Sequence, residues 1–361
     1  MRIAIYADRL DLMGGVETHV ITQVNELLKR GHQIFLSTNA IIQHYLDQVV
    51  DKENFTYAKW TIDPLSDIAG WKPDLIHVHP FTAIFRGYQV AEHYNRPLFI
   101  SMHGYYDFGI DRSPQGRKIG AYASKIITVE EGIKDLLTKI VEDPSKLVCI
   151  PNGIDLTQFE DNSPEMSLFE KYKLKPGAPT LLFISRLADG KELPLLQMLS
   201  QTCLGAIADK VGTLNFLVVG GGVSENQVIE KAFSLAGKMN LNMGFTGAVS
   251  DIRPYLSIAD LVLGCGRVAL ESMASERPVV MTSMNGFAGA ISKTNYVKAM
   301  LGQSAYEQWT DEMIVSCISG LLNDQDLLDS TVEIGYDLVR RFCNIKDNTD
   351  KLESIYREAI K

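Results

Sequence analysis

Residues 260–281, DLVLGCGRVALESMASERPVVM, contain the clearest fold signature in the chain. The apolar run Asp260–Leu263 predicts a buried strand, a helical pattern carrying Glu271 follows two glycines, and Pro278–Met281 predicts the next strand. A strand, a glycine-rich turn, a helix and a second strand form the repeating unit of a parallel sheet covered by helices. Because the first N–H groups of such a helix have no partner inside it, the turn at Gly266 predicts an anion site.

The same alternation of short β-branched runs and helical patterns extends along the whole chain. It predicts an α/β fold of two Rossmann-like, doubly wound domains. The predicted strands of the first domain are Arg2–Tyr6, Gln33–Ser37, Leu75–Val78, Pro97–Ser101, Lys125–Val129 and Leu147–Pro151, and those of the second are Thr180–Ser185, Asn215–Gly220, Asn242–Thr246, Asp260–Leu263 and Pro278–Met281.

The polar stretch Asp155–Pro179, with its NSPEMS and KPGAP segments, separates the two sets of strands. We therefore expect an N-terminal domain over residues 1–160 and a C-terminal domain over 170–340. The amphipathic segment 345–361 can pack on either half, and we assign it to the first. Ligands of open parallel sheets bind beyond the carboxyl ends of the strands, so two such domains facing each other predict a cleft lined by post-strand loops.

Composition excludes several classes of protein. A net charge of −9 argues against nucleic-acid binding, which favours a basic surface. The start MRIAIYADRLDLMGG is too acidic for a signal peptide, and no apolar run reaches membrane-spanning length. The five cysteines are scattered without a CxxC pair and indicate a reducing compartment. A cytoplasmic protein is expected.

The first half offers glycines and histidines as candidate site residues. Gly14 and Gly15 stand where the first helix begins, which suits close approach of an anion and equally suits a plain tight turn. His77 and His79 alternate on one strand, and packing at the strand end is favoured over a metal pair, because no third ligand is apparent. His103 opens the loop HGYYDFG, whose aromatic and polar groups suit a sugar, although a satisfied loop histidine has the same pattern.

The remaining candidates follow later strands. Asn152 lies in the turn CIPNGID, at a position that lines the predicted cleft or simply reverses the chain. Arg186 and Lys191 follow a strand in FISRLADGKE, where two cations can neutralise a diphosphate, or form an ordinary solvated loop. The glycines of VVGGGVSEN lack the GxGxxG spacing and indicate a tight turn, and Asp324–Asp326 indicates the start of a helix rather than a metal motif.

Taken in order, GGVET, HG, PNGID, SRL-x-x-x-K and GRVALESMASERPVV resemble the motifs of retaining glycosyltransferases of family 4, which have the GT-B fold. The resemblance covers the chain from Gly14 to about Val280. It implies transfer of a sugar from a nucleotide-sugar donor to an acceptor, with retention at the anomeric carbon, no metal at the leaving group and no cofactor. The acceptor that it implies is lipid-linked or a small metabolite.

The resemblance also implies roles for individual residues. Arg186 and Lys191 match the pair that stabilises the donor diphosphate, and His103 matches the histidine beside the donor sugar. Gly15 matches the glycine that touches the same phosphates, and we assign neighbouring Gly14 and Asn152 of the PNGID turn to donor binding with it.

Four more positions match the family in the stretch quoted first. Gly266, Arg267 and Val268 match the loop whose amides face the phosphate or sugar. Glu271 matches the second glutamate of the family's E-x7-E motif, which grips the ribose hydroxyls. Leu263 stands eight positions earlier, where the first glutamate belongs, and a leucine side chain cannot hydrogen-bond donor hydroxyls.

That departure leaves alternatives open. One is a nucleotide-sugar epimerase on the same fold, which would require acid and base groups at the sugar. Another is a nucleotide-binding protein without catalytic activity. The basic residues Arg112, Arg117, Lys118 and Lys125 indicate either weak peripheral membrane contact or, preferably, a solvated helix face.

Overall fold

A computed structural model describes residues 1–235, 240–292, 295 and 306–360. Contacts between residues divide the chain into two compact units. The first unit comprises Met1–Asp155 and Phe342–Lys361, and the second comprises Leu156–Arg341.

Thirteen strands are present in the described part of the chain. They are β1 (Arg2–Leu10), β2 (Gln33–Ile41), β3 (Phe55–Lys59), β4 (Leu75–Val78), β5 (Leu98–Met102), β6 (Lys125–Thr128), β7 (Leu147–Cys149), β8 (Thr180–Ile184), β9 (Leu214–Val219), β10 (Leu241–Phe245), β11 (Leu261–Gly264), β12 (Val279–Ser283) and β13 (Gly286–Ala290).

The α-helices alternate with these strands. They are α1 (Gly15–Lys29), α2 (Gln43–Asp47), α3 (Pro64–Asp67), α4 (Thr82–Tyr94), α5 (Pro114–Tyr122), α6 (Glu131–Thr138), α7 (Ser167–Lys171), α8 (Leu193–Met198), α9 (Ala206–Val211), α10 (Glu225–Phe233), α11 (Arg253–Leu256), α12 (Arg267–Ala274), α13 (Asp311–Leu322), α14 (Gln325–Phe342) and α15 (Ile345–Ile360). None of the helices in the described ranges is long and apolar enough to cross a bilayer.

The first unit is built on a seven-stranded parallel sheet in the order β3-β2-β1-β4-β5-β6-β7. All six strands predicted for this half are present. The sequence did not reveal β3, because this edge strand is only partly buried and FTYAK has no continuous apolar run.

Helix α15 packs on the first unit. Its Tyr356 is fully buried in the same apolar cluster as Val20 and Leu27 of α1. At the end of α1, Arg30 donates to Glu353 of α15 at 3.3 Å and to Glu26 at 2.9 Å. Burial of one face of α15 and the ion pair between Arg30 and Glu353 attach the C-terminal segment to the N-terminal unit. Lys361, the last residue of the predicted segment 345–361, lies outside the described residues.

The second unit has a six-stranded sheet in the order β10-β9-β8-β11-β12-β13. The five strands predicted for this half are present and parallel, whereas β13 is antiparallel to β12. The segment containing β13, GFAGA, is too rich in glycine to indicate a strand by itself. It is held in the sheet by pairing with β12 and by Phe287, which is buried in the core.

Asp324 caps a helix, as its sequence context predicts. Its Oδ1 accepts a hydrogen bond from the backbone N–H of Leu327 at 3.0 Å, at the start of α14. The DQD segment is therefore a helix start in the structure.

Candidate active site

In the first unit, the candidate residues lie at the carboxyl edge of three adjacent strands, β1, β4 and β5. Gly14 precedes α1 in an extended conformation and provides no side-chain cap. A Cβ at Gly14 would lie 2.5 Å from Oε2 of Glu17. The Glu17 carboxylate therefore folds back over the N terminus of α1, where the helix dipole favours negative charge.

His103 belongs to a group of imidazoles that the sequence did not reveal. Its Nε2 lies 2.9 Å from Nδ1 of His79, and its ring centroid lies 5.1 Å from that of His19 in α1. The backbone N–H of His103 donates to the Tyr106 hydroxyl at 3.3 Å. Burial lowers the pKa of His103 to about 4. At neutral pH this imidazole is uncharged, so it can orient a hydroxyl by hydrogen bonding but cannot supply positive charge.

His77 has the packing role expected of a strand-end histidine. It is fully buried, contacts Ser101 Oγ through Nε2 at 2.8 Å, and contacts the Tyr356 hydroxyl through Nδ1. Its ring also stacks on that of His79, with 4.7 Å between centroids. From the sequence, we expected the same packing role for His77 and His79. In the structure their roles differ, because of these two residues only His79 has a hydrogen-bonding contact with His103.

The PNGID turn is hydrogen-bonded to the start of the C-terminal helix α15. The Ile154 N–H donates to Cys343 O at 2.6 Å, and the Ile345 N–H donates back to Ile154 O at 3.0 Å. A Cβ at Gly153 would lie 2.3 Å from Ile345 Cδ1. Much of this motif is therefore structural. Asn152 precedes the junction, and its buried Oδ1 has no hydrogen-bond partner among the described residues.

In the second unit, Arg186 and Lys191 lie on the loop that follows β8. Asp189 and Gly190 both have positive φ angles, +59° and +82°, and turn the loop sharply before exposed Lys191. Nη2 of Arg186 donates to Asp189 Oδ2 at 2.9 Å. The Arg186 Nε is buried and has no hydrogen-bond partner in the described ranges. The guanidinium therefore keeps a desolvated donor that an incoming anion could satisfy.

The three glycines after β9 let two loops approach each other. A Cβ at Gly220 would lie 2.0 Å from Ser185 O, and one at Gly222 would lie 2.3 Å from Leu187 O. The backbone of Leu187 also donates to Gly221 O at 2.9 Å. The glycine run positions the loop that carries Arg186, and it has the tight conformation that its sequence indicates.

Helix α12 begins immediately after β11, the neighbour of β8 in the sheet. Gly266 precedes it with a φ of +57° and offers no side-chain cap. Nε of Arg267 donates to Glu271 Oε1 at 2.6 Å, and the two side chains are only 9% and 15% exposed. Burial raises the pKa of Glu271, whereas the charge and the hydrogen bond of Arg267 act in the opposite direction.

Leu263 lies inside β11, paired with Phe183 of β8 and Val280 of β12, and it is fully buried. Only Cys265 and Gly266 separate β11 from α12. The Leu263 side chain therefore packs in the apolar core of the second unit.

The structure thus groups the candidates within each unit. Gly14, Gly15 and His103 share the edge of β1, β4 and β5, whereas Asn152 follows β7, two strands beyond β5. Arg186, Lys191 and the Gly266–Glu271 segment follow the adjacent strands β8 and β11. Sequence reasoning missed the contacts of His19 and His79 with His103. The only signal available was the position of His19 in the first turns of α1, directly after the paired glycines.

Two Rossmann-like units, each with a glycine-containing turn between a strand and a helix, have the architecture of GT-B glycosyltransferases. Two domain models support the same conclusion. The model described as Glycosyltransferase Family 4 matches residues 13–158, and the model described as Glycosyl transferases group 1 matches residues 178–321.

Relatives and solved structures agree. The chain is 26% identical over 324 residues to the alpha-monoglucosyldiacylglycerol synthase of Streptococcus pneumoniae, covering 78% of this chain and 70% of the relative. It is 25% identical over 242 residues to the D-inositol 3-phosphate glycosyltransferase of Kineococcus radiotolerans, covering 60% and 56%. A glycosyltransferase structure from Rickettsia africae matches with a TM-score of 0.77 at 19% identity, covering 100% of this chain and 99% of that one.

The structure of Anabaena HepE in complex with UDP and glucose matches with a TM-score of 0.72 at 14% identity, covering 99% of this chain and 100% of that one. The chain therefore belongs to the family 4 glycosyltransferases with the GT-B fold, and it is a glycosyltransferase.

Proposed function

We propose that the chain transfers a sugar from a nucleotide-diphosphate sugar to a hydroxyl acceptor, with retention of anomeric configuration and without a metal at the leaving group. The buried, unpartnered Nε of Arg186 carries this proposal, because a desolvated guanidinium donor at the exit of a parallel strand is suited to bind a phosphate oxygen. The complex of Anabaena HepE with UDP and glucose supports a donor of this class.

Charge compensation is the main requirement of the reaction. When the bond between the anomeric carbon and the phosphate oxygen breaks, its electron pair stays on the diphosphate, which gains negative charge. Arg186, Lys191 and the N terminus of α12 can stabilise that charge. The acceptor oxygen forms the new bond on the same face of the sugar, and its proton passes to the leaving phosphate. This path requires no pair of catalytic carboxylates of the kind a glycosidase uses.

Glu271 and His103 are assigned to the two ends of the donor. The Glu271 carboxylate accepts hydrogen bonds from the ribose hydroxyls while Arg267 holds it in place. Neutral His103 orients a hydroxyl of the donor sugar. Gly14, Gly15, Gly266 and Val268 provide backbone that an anion can approach closely, and Asn152 provides an unsatisfied carbonyl oxygen.

We further propose that the acceptor has an apolar part. Phe81 has a φ of +71°, which is strained for a bulky residue, yet its side chain is 44% exposed. Its ring lies 5.0 Å from that of Tyr106, whose hydroxyl contacts the backbone of His103, and 6.0 Å from that of exposed Phe108. The Streptococcus pneumoniae relative is an alpha-monoglucosyldiacylglycerol synthase, and a lipid product of that kind agrees with such an acceptor.

Electrostatic attraction to a membrane has little support in the basic residues identified from the sequence. Lys118 pairs with Glu92 at 3.0 Å, and Arg117 pairs with Glu142 at 3.4 Å. Arg112 and Lys125 donate to backbone carbonyls. Acidic partners therefore offset the charges of Lys118 and Arg117, whereas Arg112 and Lys125 keep theirs, so any electrostatic part of a peripheral membrane contact would weaken as salt is added.

The decisive experiment has two stages. A thermal-shift screen of UDP, GDP, ADP, dTDP and CMP identifies the nucleotide, because a ligand that binds only the folded state raises its stability. The corresponding nucleotide sugars are then tested for transfer to acceptors with and without an acyl chain.

Variants test the assigned chemistry. Arg186→Ala and Lys191→Ala should each abolish transfer without lowering the melting temperature, whereas the control Arg340→Ala, at an exposed ion pair in α14, should keep activity. Transfer at the wild-type rate in Arg186→Ala would refute the mechanism. Nucleotide binding without transfer or donor hydrolysis would instead indicate a non-catalytic protein.

A further inference from the structure

Three histidines from three separate elements converge at the carboxyl edge of the first sheet. His19 lies in α1, His79 follows β4 and His103 follows β5. Each offers one ring nitrogen, and the three nitrogens all lie within 4.8 Å of one another. His19 and His79 are buried, whereas His103 is half-buried, so the group can be reached from one side.

The spacing is close to that of a three-histidine metal site. Zinc bound by nitrogen at about 2.0–2.1 Å in tetrahedral geometry places neighbouring nitrogens about 3.3 Å apart. The contact between His79 Nδ1 and His103 Nε2, at 2.9 Å, is slightly shorter than this, and no pair exceeds 4.8 Å. Side-chain movements on the order of 1 Å would bring three nitrogens around one ion and leave a fourth position open.

The hydrogen bonding of the group is compatible with a metal. Metal ligation requires imidazole nitrogens that carry no proton. In the hydrogen bond between His79 Nδ1 and His103 Nε2, one of the two nitrogens carries the proton. A metal bound to both nitrogens would displace that proton, which would then move to the second nitrogen of the same imidazole ring. His79 Nε2 is buried and has no hydrogen-bond partner among the described residues, so it can take that proton.

We propose that His19, His79 and His103 bind one divalent cation of the zinc class, and that the bound cation withholds His103 from the donor sugar. Imidazole ligands favour zinc, copper, nickel and cobalt over magnesium and calcium, and none of the three ligands is a carboxylate. The inhibitory role follows from the assignment of His103 to the donor sugar, because an imidazole bound to a cation cannot also orient a sugar hydroxyl. The binding part stands alone, whereas the inhibitory part rests on the proposed function.

The test uses the full chain without a polyhistidine tag, first treated with a chelator. Zinc is titrated calorimetrically, and cobalt is followed through its visible absorption, which is strong when the ion is four-coordinate. We expect one ion per chain. Because loss of a group that merely supports a ligand weakens metal binding about 10–100-fold, His19→Gln and His103→Gln should each weaken it at least about tenfold. The exposed control His93→Gln should bind as the wild type does.

The inhibitory part has a separate readout. Zinc should suppress sugar transfer by the wild type, excess chelator should restore it, and magnesium at the same concentration should have no effect. Absence of zinc and cobalt binding, or equal affinities of His19→Gln and the wild type, would overturn the site. Full transfer activity with zinc bound would overturn the inhibitory role. If no transfer is found at all, the proposed function fails, but the metal titration still decides whether the site exists.

Discussion

The buried pair of Arg267 and Glu271 allows stability and ligand binding to be separated. Removing one member of a buried ion pair costs about 3–5 kcal/mol, because the other is left uncompensated. The loss of unfolding free energy in Arg267→Met should lie near the lower end of this range, because the charge of Arg253 also lowers the pKa of Glu271 and remains in place. The double variant Arg267→Met/Glu271→Leu should recover to within about 1 kcal/mol of the wild type, because no charge of the pair stays buried.

In the double variant, nucleotide affinity should not recover even though the unfolding free energy does. Hydrogen bonds to a charged group contribute about 1.5–3 kcal/mol, so loss of the ribose contacts of Glu271 should weaken nucleotide binding about 10–150-fold. That loss is expected in Glu271→Leu and equally in the double variant.

The assay combines urea unfolding with calorimetric titration of the nucleotide chosen by the thermal-shift screen. Wild-type affinity in a stable double variant would show that Glu271 only supports α12, and would refute its role at the ribose. A cost below about 1 kcal/mol in both single variants would contradict the buried pair itself.

Three further changes test other parts of the structure. Asp189→Asn removes the carboxylate that engages half-buried Arg186 and should tighten nucleotide-diphosphate binding by up to about fivefold, since such pairs contribute about 0–1 kcal/mol; weaker binding in the titration would contradict this. Gly220→Ala should lower the melting temperature severely, because its Cβ would clash with Ser185 O, whereas Gly120→Ala, with no atom within 4 Å of the new Cβ, should not lower it. Burial lowers the pKa of His77 to about 3, below its ordinary value of 6.5, so the unfolded chain binds the extra proton. The unfolding free energy should therefore be highest above about pH 6.5 and should fall toward pH 4 by up to about 1.4 kcal/mol per pH unit from this residue, and a urea series showing the opposite slope would contradict the assignment.

Short apolar runs were sufficient to predict the positions of the central strands along the chain. Strands such as β4 and β11 are buried on both faces, so their sequences, LIHV and LVLG, are nearly continuous apolar runs. The edge strands β3 and β13 lack that pattern, because their positions depend on pairing with a neighbour rather than on their own residues. Prediction from sequence therefore failed at one edge of each sheet, whereas the opposite edge strands, β7 and β10, were predicted.

The sequence allowed us to predict individual residues of the candidate site, but it did not allow us to predict all of their contacts. Spacing and motif order indicated Arg186, His103 and Glu271. The contact of Arg267 with Glu271 joins residues four apart on a predicted helix, so its spacing was a signal that the sequence analysis did not use. The contact of His103 with His79 had no such signal, because it depends on side-chain directions in the folded protein. The PNGID turn is a case in which a motif residue has a structural role. Its Ile154 forms backbone hydrogen bonds with the start of α15.

Position 263, where the family resemblance places the first motif glutamate, lies inside a buried strand. Counting back eight residues from Glu271 reaches the strand β11, because only two residues connect β11 to α12. Leu263→Glu would therefore not restore a donor contact. It should cost about 4 kcal/mol or more in urea unfolding, because it loses a buried leucine and buries a carboxyl group, whereas Leu263→Met should cost less than about 1.5 kcal/mol. A stable Leu263→Glu variant with tighter donor binding would refute this reasoning. In the residues 265–268 that lead into α12, Arg267 carries the only charge. Under the proposed function, we therefore expect this segment to contact the donor sugar through a cation or backbone amides and not through a carboxylate.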